Sequence, residues 1–355
     1  MARARSRRTL LTACLVALAG CGGPHGGEGA STAMATELRV ARERMLSGTL
    51  HADLCAAVAA LQDREGPYLD LGDWGLGHRA LKAHLDWHGK PETPGLGERF
   101  DDAAHPIHAF RSYARQLREQ GVELWVAPIP TRLEVRPDRL EGVTRPAAFA
   151  GFAPGTYTFL AQLAAEDIGV VDLLPALVAA DDPNGADQLY LDKDYHWAPA
   201  GARVAVDVLA ERLRQLEGFE DGRAVEGIDY QVIEEHVSHP LIGAWKPEPE
   251  TILVRRVTNL DGTSITVKDK SSPYLLLGDS YSLQYGEYDS DLPRQLYAAT
   301  GRTFDLITLS AGGRESWKAL SRRQNPLTGK RVVIWLCTSR ALSQLVFQDL
   351  DLGND

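Results

Sequence analysis

Leu275-Leu276-Leu277-Gly278-Asp279-Ser280-Tyr281-Ser282 is the stretch that decides the fold. A short apolar run after Pro273, from Tyr274 to Leu277, fits a strand buried on both faces, the pattern of a parallel sheet. Gly278 then permits a sharp turn, since a residue without Cβ tolerates positive φ. Asp279 and Ser280 follow at the carboxyl end of the strand, where open α/β sheets carry their ligand chemistry. A serine there suits a nucleophile, although Gly-Asp-Ser is also a common turn tripeptide. A nucleophile in this position requires a base.

Outward from this strand, apolar runs alternate with helical segments. A helix over Ile107 to Gln120 feeds the strand Val122 to Ala127, and Pro128-Ile129-Pro130-Thr131-Arg132 reads as a rigid loop. A helix over Tyr157 to Glu166 leads to the strand Val170 to Leu173. A third helix opens at Pro199 with Val204, Val208, Leu209, Leu213 and Leu216 on its apolar face, ending at Gly218. After the serine strand come a helix over Leu292 to Thr300, the strand Phe304 to Leu309, the loop Ser310 to Gly313, a helix over Ser316 to Arg323, and the strand Val332 to Leu336. Five such strands predict an α/β fold, an α/β/α sandwich around a parallel sheet of about five strands. A small β insertion spans about 219–270, where Ile252 to Val257 and Ser264 to Lys268 form an expected hairpin through Asn259-Leu260-Asp261-Gly262.

The base lies upstream. Asp194 and His196 stand two residues apart, so an extended backbone points both side chains the same way. The carboxylate could then accept from Nδ1 while Nε2 faces Ser280 and takes its proton. The histidine pairs His105/His108, near Asp101 and Asp102, and His236/His239 lack further ligands at a recognisable spacing. They are expected to be solvent-exposed, and no metal or cofactor is assigned. Trp197 reads as a wedge behind His196 and Trp335 as core, while Arg314, Lys318, Arg322 and Arg323 read as a charged helix face.

Asp194-Tyr195-His196-Trp197-Ala198-Pro199-Ala200-Gly201-Ala202 resembles the D-x-H-W-x-x-x-G-A segment of the AlgX/AlgJ-type SGNH-hydrolase-like domain of alginate and exopolysaccharide O-acetyltransferases. Leu277 to Ser282 resembles that family's serine segment, and Val126 to Arg132 its P-x-P-T-K loop, with Arg132 in place of lysine. Val332 to Trp335, followed by Arg340 and Leu342, resembles its closing strand. The order Asp, His, Ser matches as well. The resemblance implies Ser280 as nucleophile, His196 as base and Asp194 as its orienting carboxylate. The Gly-x-Asn-Asp of ordinary SGNH enzymes is absent, so oxyanion donors are expected from the Ser280 N–H and from Gly312 and Gly313. Arg132, Tyr281 and Tyr285 are further candidates at the substrate or oxyanion site, with packing the stronger reading for the tyrosines, which follow a strand.

The address is read from the first 35 residues. Arg3, Arg5, Arg7 and Arg8, the apolar Leu10 to Leu18, and Leu18-Ala19-Gly20-Cys21 resemble a lipoprotein leader cleaved before Cys21. A flexible tether is expected over 22–35 and an N-terminal helical or irregular segment over 36–104, with residues 34–62 helical. The SGNH-like domain is placed at 105–345 and a tail at 346–355. Loss of the leader's four arginines takes the formal charge from −10 to −14, which excludes nucleic acid and disfavours a strongly anionic polymer unless the cleft is locally basic. Cys55 and Cys337 remain in a compartment that would let them pair. The implied protein is a lipid-anchored periplasmic or cell-surface O-acetyltransferase with a polysaccharide acceptor and a membrane-bound acyltransferase as donor. An acetylesterase using the same triad and a non-catalytic polysaccharide-binding lipoprotein are the alternatives.

Overall fold

A computed structural model describes residues 28–353 apart from 63–67, 71–74, 183–187, 193, 221–229, 241–248, 311 and 345. In chain order the elements are α1 (Glu28–Leu46), α2 (Leu50–Gln62), β1 (Tyr68–Asp70), β2 (Gly75–Gly77), α3 (His78–His88), β3 (Gly89–Lys90), β4 (Thr93–Pro94), α4 (Ile107–Glu119), β5 (Glu123–Ile129), α5 (Arg132–Val135) and α6 (Pro154–Ala165). They continue with β6 (Gly169–Val170), α7 (Leu174–Ala180), α8 (Pro199–Arg214), β7 (Tyr230–His239), β8 (Glu250–Asn259), β9 (Tyr274–Gly278), α9 (Ser280–Leu283), α10 (Leu292–Thr300), β10 (Asp305–Thr308), α11 (Gly312–Ser321), β11 (Val332–Thr338) and α12 (Arg340–Gln344).

Five strands form one parallel sheet in the order β10-β9-β11-β5-β6. Helices flank it, α8 packed on α10 and α4 on α6. All residues of β9 and β11 are buried, as a sheet covered on both faces requires. The last strand, β11, is inserted between β5 and β9, with Leu336 level with Gly278 and Thr338 level with Ile129. The carboxyl ends of β5, β9 and β11 therefore meet at one edge of the sheet, and the loops that leave them build the site.

Several expectations change. Helix 34–62 is two helices, broken at Ser47-Gly48-Thr49, and α1 begins at Glu28, so the expected tether is helical from there. The leader and Cys21 lie outside the described residues. Pro128 and Ile129 belong to β5 rather than to a loop: Pro128 sits level with Cys337, and its missing N–H leaves the strand otherwise paired. In the insertion, β8 pairs along its whole length with β7 and not with 264–268. The Asn259–Gly262 turn is present, but it closes onto a single bridge between Thr258 and Ser264. Cys55, on α2, and Cys337, in the centre of the sheet, are both free thiols. His105 and His239, expected at the surface, are buried.

Candidate functional site

Gly278 is needed for a reason other than its φ, which is not positive. A Cβ there would lie 2.4 Å from Ser282 Oγ and 2.8 Å from Ser282 Cβ, so the absent side chain lets α9 fold back against the strand end. Asp279 is the N-cap of this short helix. Its Oδ1 accepts from the N–H of Tyr281 (3.0 Å), and its Oδ2 accepts from the N–H of Thr338 at the end of β11 (2.8 Å). One carboxylate thus ties the serine turn to the neighbouring strand. Burial raises its pKa against these two donors. Ser280 opens α9 and stays partly exposed, which is what a nucleophile needs.

His196 Nε2 lies 2.8 Å from Ser280 Oγ, and His196 Nδ1 lies 2.7 Å from Asp194 Oδ1. The local backbone is a turn rather than the extended segment expected. Tyr190 and Trp197 form an antiparallel bridge, and Asp194 Oδ1 also accepts from the backbone N–H of His196 at 3.0 Å. Burial pushes the Asp194 carboxyl up, but its bonds to the His196 ring and to the N–H groups of His196 and Tyr195 outweigh that and hold it below the usual range. An ionised Asp194 fixes the tautomer with the proton on Nδ1, leaving Nε2 as the acceptor that faces the serine hydroxyl.

Trp197 is the wedge expected: its indole N–H donates to Tyr281 O at 3.0 Å while its ring packs edge-on against Tyr281. Gly201 allows this approach, because a Cβ there would come within 2.2 Å of Leu189 O and 3.1 Å of Trp197 Cβ.

Tyr281, Tyr285 and Arg132 all hold the histidine loop, which for the two tyrosines is the packing reading. Tyr281 and Tyr285 are buried, and their hydroxyls donate to the carbonyls of Tyr195 and Trp197, each at 2.6 Å. Arg132 is also buried and donates to the carbonyls of Asp194 (2.6 Å) and Asp192 (3.2 Å). Burial brings its guanidinium down to about 10, against the nearby carboxylates and phenols. The serine helix and the loop after β5 therefore grip the 192–197 backbone from two sides. Gly312 and Gly313 form the first turn of α11, and Gly313 O accepts from the indole N–H of Trp335 (3.1 Å) and from Ser316 Oγ. Ala311 between them and Ser310 lies outside the described residues.

Sequence reasoning missed four contributors. The Tyr195 ring packs at a tilt against His196, ring centroids 4.3 Å apart, and the Arg340 guanidinium carbon lies over the Tyr195 ring, 4.7 Å from its centroid. His239, at the end of β7, packs on Tyr285 with Nε2 3.1 Å from the Gln284 amide nitrogen, so the β insertion reaches the region behind the site. Glu134 binds Ser339 Oγ (2.7 Å) and the N–H of Thr131, joining the loops after β5 and β11. The Thr-x-x-Glu capping pattern of 131–134 was the available signal for that bond. Among the described residues no cluster of histidine, cysteine and carboxylate side chains could hold a metal ion, and no helix is long and apolar enough to cross a membrane.

Comparison with known proteins identifies the family and agrees with the fold. Residues 96–335 match the family described as the SGNH hydrolase-like domain, acetyltransferase AlgX. The chain is 32% identical over 179 residues to a probable alginate O-acetylase AlgJ of Pseudomonas fluorescens, covering 47% of this chain and 44% of that protein. It is 30% identical over 174 residues to the alginate biosynthesis protein AlgX of Pseudomonas aeruginosa, covering 48% and 34%. The matches thus span less than half the length of these relatives. Among solved structures, the O-acetyltransferase domain of Pseudomonas putida AlgJ superposes with a TM-score of 0.50 at 21% identity, over 71% of this chain and 87% of that one, a likeness of fold.

Proposed function

The chain belongs to the family of the SGNH hydrolase-like domain, acetyltransferase AlgX, and we propose that it transfers acetyl groups to the hydroxyls of an extracytoplasmic polysaccharide through an acetyl-serine intermediate. The observation that carries this reading is the continuous run Asp194 Oδ1, His196 Nδ1, His196 Nε2, Ser280 Oγ, with steps of 2.7 and 2.8 Å across the ring.

Ser280 Oγ attacks the acetyl carbonyl of the donor as His196 Nε2 takes its proton, and Asp194 stabilises the imidazolium that forms. The tetrahedral oxyanion is held by backbone donors: the Ser280 N–H, and the unpaired first-turn amides of α11, where Gly312 and Gly313 stand. Collapse breaks the bond to the donor's leaving group, which receives the proton from His196. An acceptor hydroxyl then gives its proton to His196 and attacks the acetyl-serine, and the returning proton restores Ser280. Lipidation at Cys21 would hold the domain at a membrane, near a membrane-bound acyltransferase that supplies the acetyl group.

The test is incubation with an activated acetyl ester, with and without oligosaccharide acceptors, beside Ser280→Ala. The expected result is one acetyl group on the Ser280 peptide by mass spectrometry, its passage to the oligosaccharide, and loss of both in the variant. Turnover unaltered by Ser280→Ala would overturn the reading. Release of free acetate alone, whatever acceptor is present, would make the protein an esterase.

A further inference from the structure

Helix α1 runs the height of the domain, and contacts near both of its ends fix its direction. Near its start, Ser31 Oγ donates to Asp167 Oδ1 at 2.7 Å. Asp167 lies just before β6, at the edge of the sheet where the parallel strands begin. Near its end, Met45 Sδ accepts from the N–H of Ala153 at 3.4 Å. Ala153 is the N-cap of α6, and its neighbour Phe152 donates its backbone N–H to Glu134 O, in the loop that leaves the carboxyl end of β5. Packed along α6, α1 therefore runs antiparallel to it, from the amino edge of the sheet to the edge that carries Ser280.

The length of α1 matters because of what precedes it. It has 19 residues, a rod of about 28 Å at 1.5 Å per residue. Cys21 comes seven positions before its first residue, Glu28, a distance that the chain can stretch to no more than about 25 Å. A lipid on Cys21 thus keeps the start of α1 closer to the bilayer surface than α1 is long. If the Ser280 edge lay on the bilayer, Glu28 would stand a helix length above it, beyond the reach of the anchor. The amino edge can take that place electrostatically. Its exposed charges are mixed: Lys268, Lys270 and Arg322, in the segments that feed β9 and β11, balance Asp167, Glu217 and Glu220. It does not share the acidic excess of the chain, which anionic headgroups would repel.

We propose that the amino edge of the sheet is the surface turned toward the lipid headgroups, so that Ser280 opens away from the membrane that anchors the protein. The site then stands about 28 Å, the length of α1, above that edge. A donor held in the same membrane has to present its acetyl group at this height, on a part that projects beyond the headgroups, whereas a polymer acceptor enters from the far side without meeting the lipid surface. The proposal rests on the anchor at Cys21 from the reading above and on nothing in the acyl-transfer chemistry.

The test uses the full-length chain, processed in a bacterium that lipidates such leaders and reconstituted into phosphatidylcholine–phosphatidylglycerol vesicles. In a Cys55→Ser background, where Cys337 is buried and escapes labelling, a fluorophore is attached through Lys270→Cys at the amino edge or through Leu309→Cys beyond the carboxyl end of β10, both exposed positions. Energy transfer to a headgroup-labelled lipid is expected to be stronger from Lys270→Cys than from Leu309→Cys. Insertion after Gly27 of about thirty residues, about 100 Å of added contour, should abolish that difference while the protein stays on the vesicles. Equal transfer from the two positions, stronger transfer from Leu309→Cys, or a difference that survives the insertion would overturn the proposal with the anchor intact. A Cys21 peptide without lipid by mass spectrometry, in a protein that does not float with vesicles, would remove the anchor reading and this proposal together, and would leave the Ser280→Ala test of acetyl transfer unaffected.

Discussion

At the residue scale the site depends on which protonation states the local backbone imposes. Asp194 Oδ1 serves two N–H groups of one residue, the backbone and Nδ1 of His196, so its charge and the ring orientation are fixed together. Asp194→Asn would keep the volume but remove the charge that stabilises imidazolium and admit the other tautomer. Steady-state transfer of acetyl from an activated ester is expected to fall about 10³- to 10⁴-fold in kcat, with the thermal transition shifted by only a few degrees; a loss smaller than tenfold would mean that Asp194 does not orient the base. The pairing of Asp194 with His196 was legible because it is local. The roles of Arg132, Tyr281 and Tyr285 were not, because all three act on carbonyls of residues 192–197, which lie 60 to 88 positions away in the chain. Nothing in a side chain's own neighbourhood tells whether its polar tip will meet substrate or a distant backbone.

At the element scale, apolar runs and their flanking turns located β5, β9, β10 and β11, since strands buried on both faces leave a plain composition, whereas the edge strand expected over Val170 to Leu173 is only Gly169–Val170. The β insertion was harder. The turn at Asn259–Gly262 was read correctly as a turn, but β8 found its partner in β7, a polar strand largely exposed and without the apolar pattern that marks a strand. The polar residues of the N-terminal segment were likewise opaque until α3 placed His88. Its Nε2 lies 3.2 Å from Glu134 Oε1, both side chains fully enclosed, while His88 Nδ1 accepts from Gly155 N–H. Burial raises the Glu134 carboxyl, but the bond to His88, its charge, the Thr131 N–H and the Ser339 hydroxyl together bring it below the ordinary glutamate value of 4.5. A carboxylate with a depressed folded pKa contributes stability that is fully present above its unfolded pKa and is lost as pH falls through the folded value. Urea midpoints should therefore drop as pH falls below about 4.5. Glu134→Gln should cost about 3 kcal/mol at pH 7 by leaving buried partners unsatisfied, and should flatten the acid limb. An unchanged acid limb in that variant would assign the pH dependence to other groups.

At the scale of the whole molecule, the family match begins at Leu96, while the hydrophobic core does not. Ala35, Leu38, Met45, Leu50, Leu54, Val58 and Leu61 are buried in the same continuous cluster as the sheet residues. Helix α1 packs along α6, α3 packs on α12, and Arg42 pairs with Glu98 across the boundary. Each large apolar side chain of that set contributes about 1.5–3 kcal/mol when buried, so together they rival the roughly 5–15 kcal/mol by which a domain is stable at all. The segment before Leu96 also supplies His88 to Glu134, and Glu134 binds the two loops that carry Arg132 and Arg340. A chain cut at the family boundary would expose the apolar faces of α6 and α12 and release the clamp behind the site. We expect such a truncated protein to be insoluble, or to bind the hydrophobic dye ANS and unfold without a sharp thermal transition, whereas the chain that retains α1 to α3 unfolds in one cooperative step. A truncated form that is soluble, melts sharply and still acetylates Ser280 would show that the family domain carries its own core and that the N-terminal helices are an accessory to it.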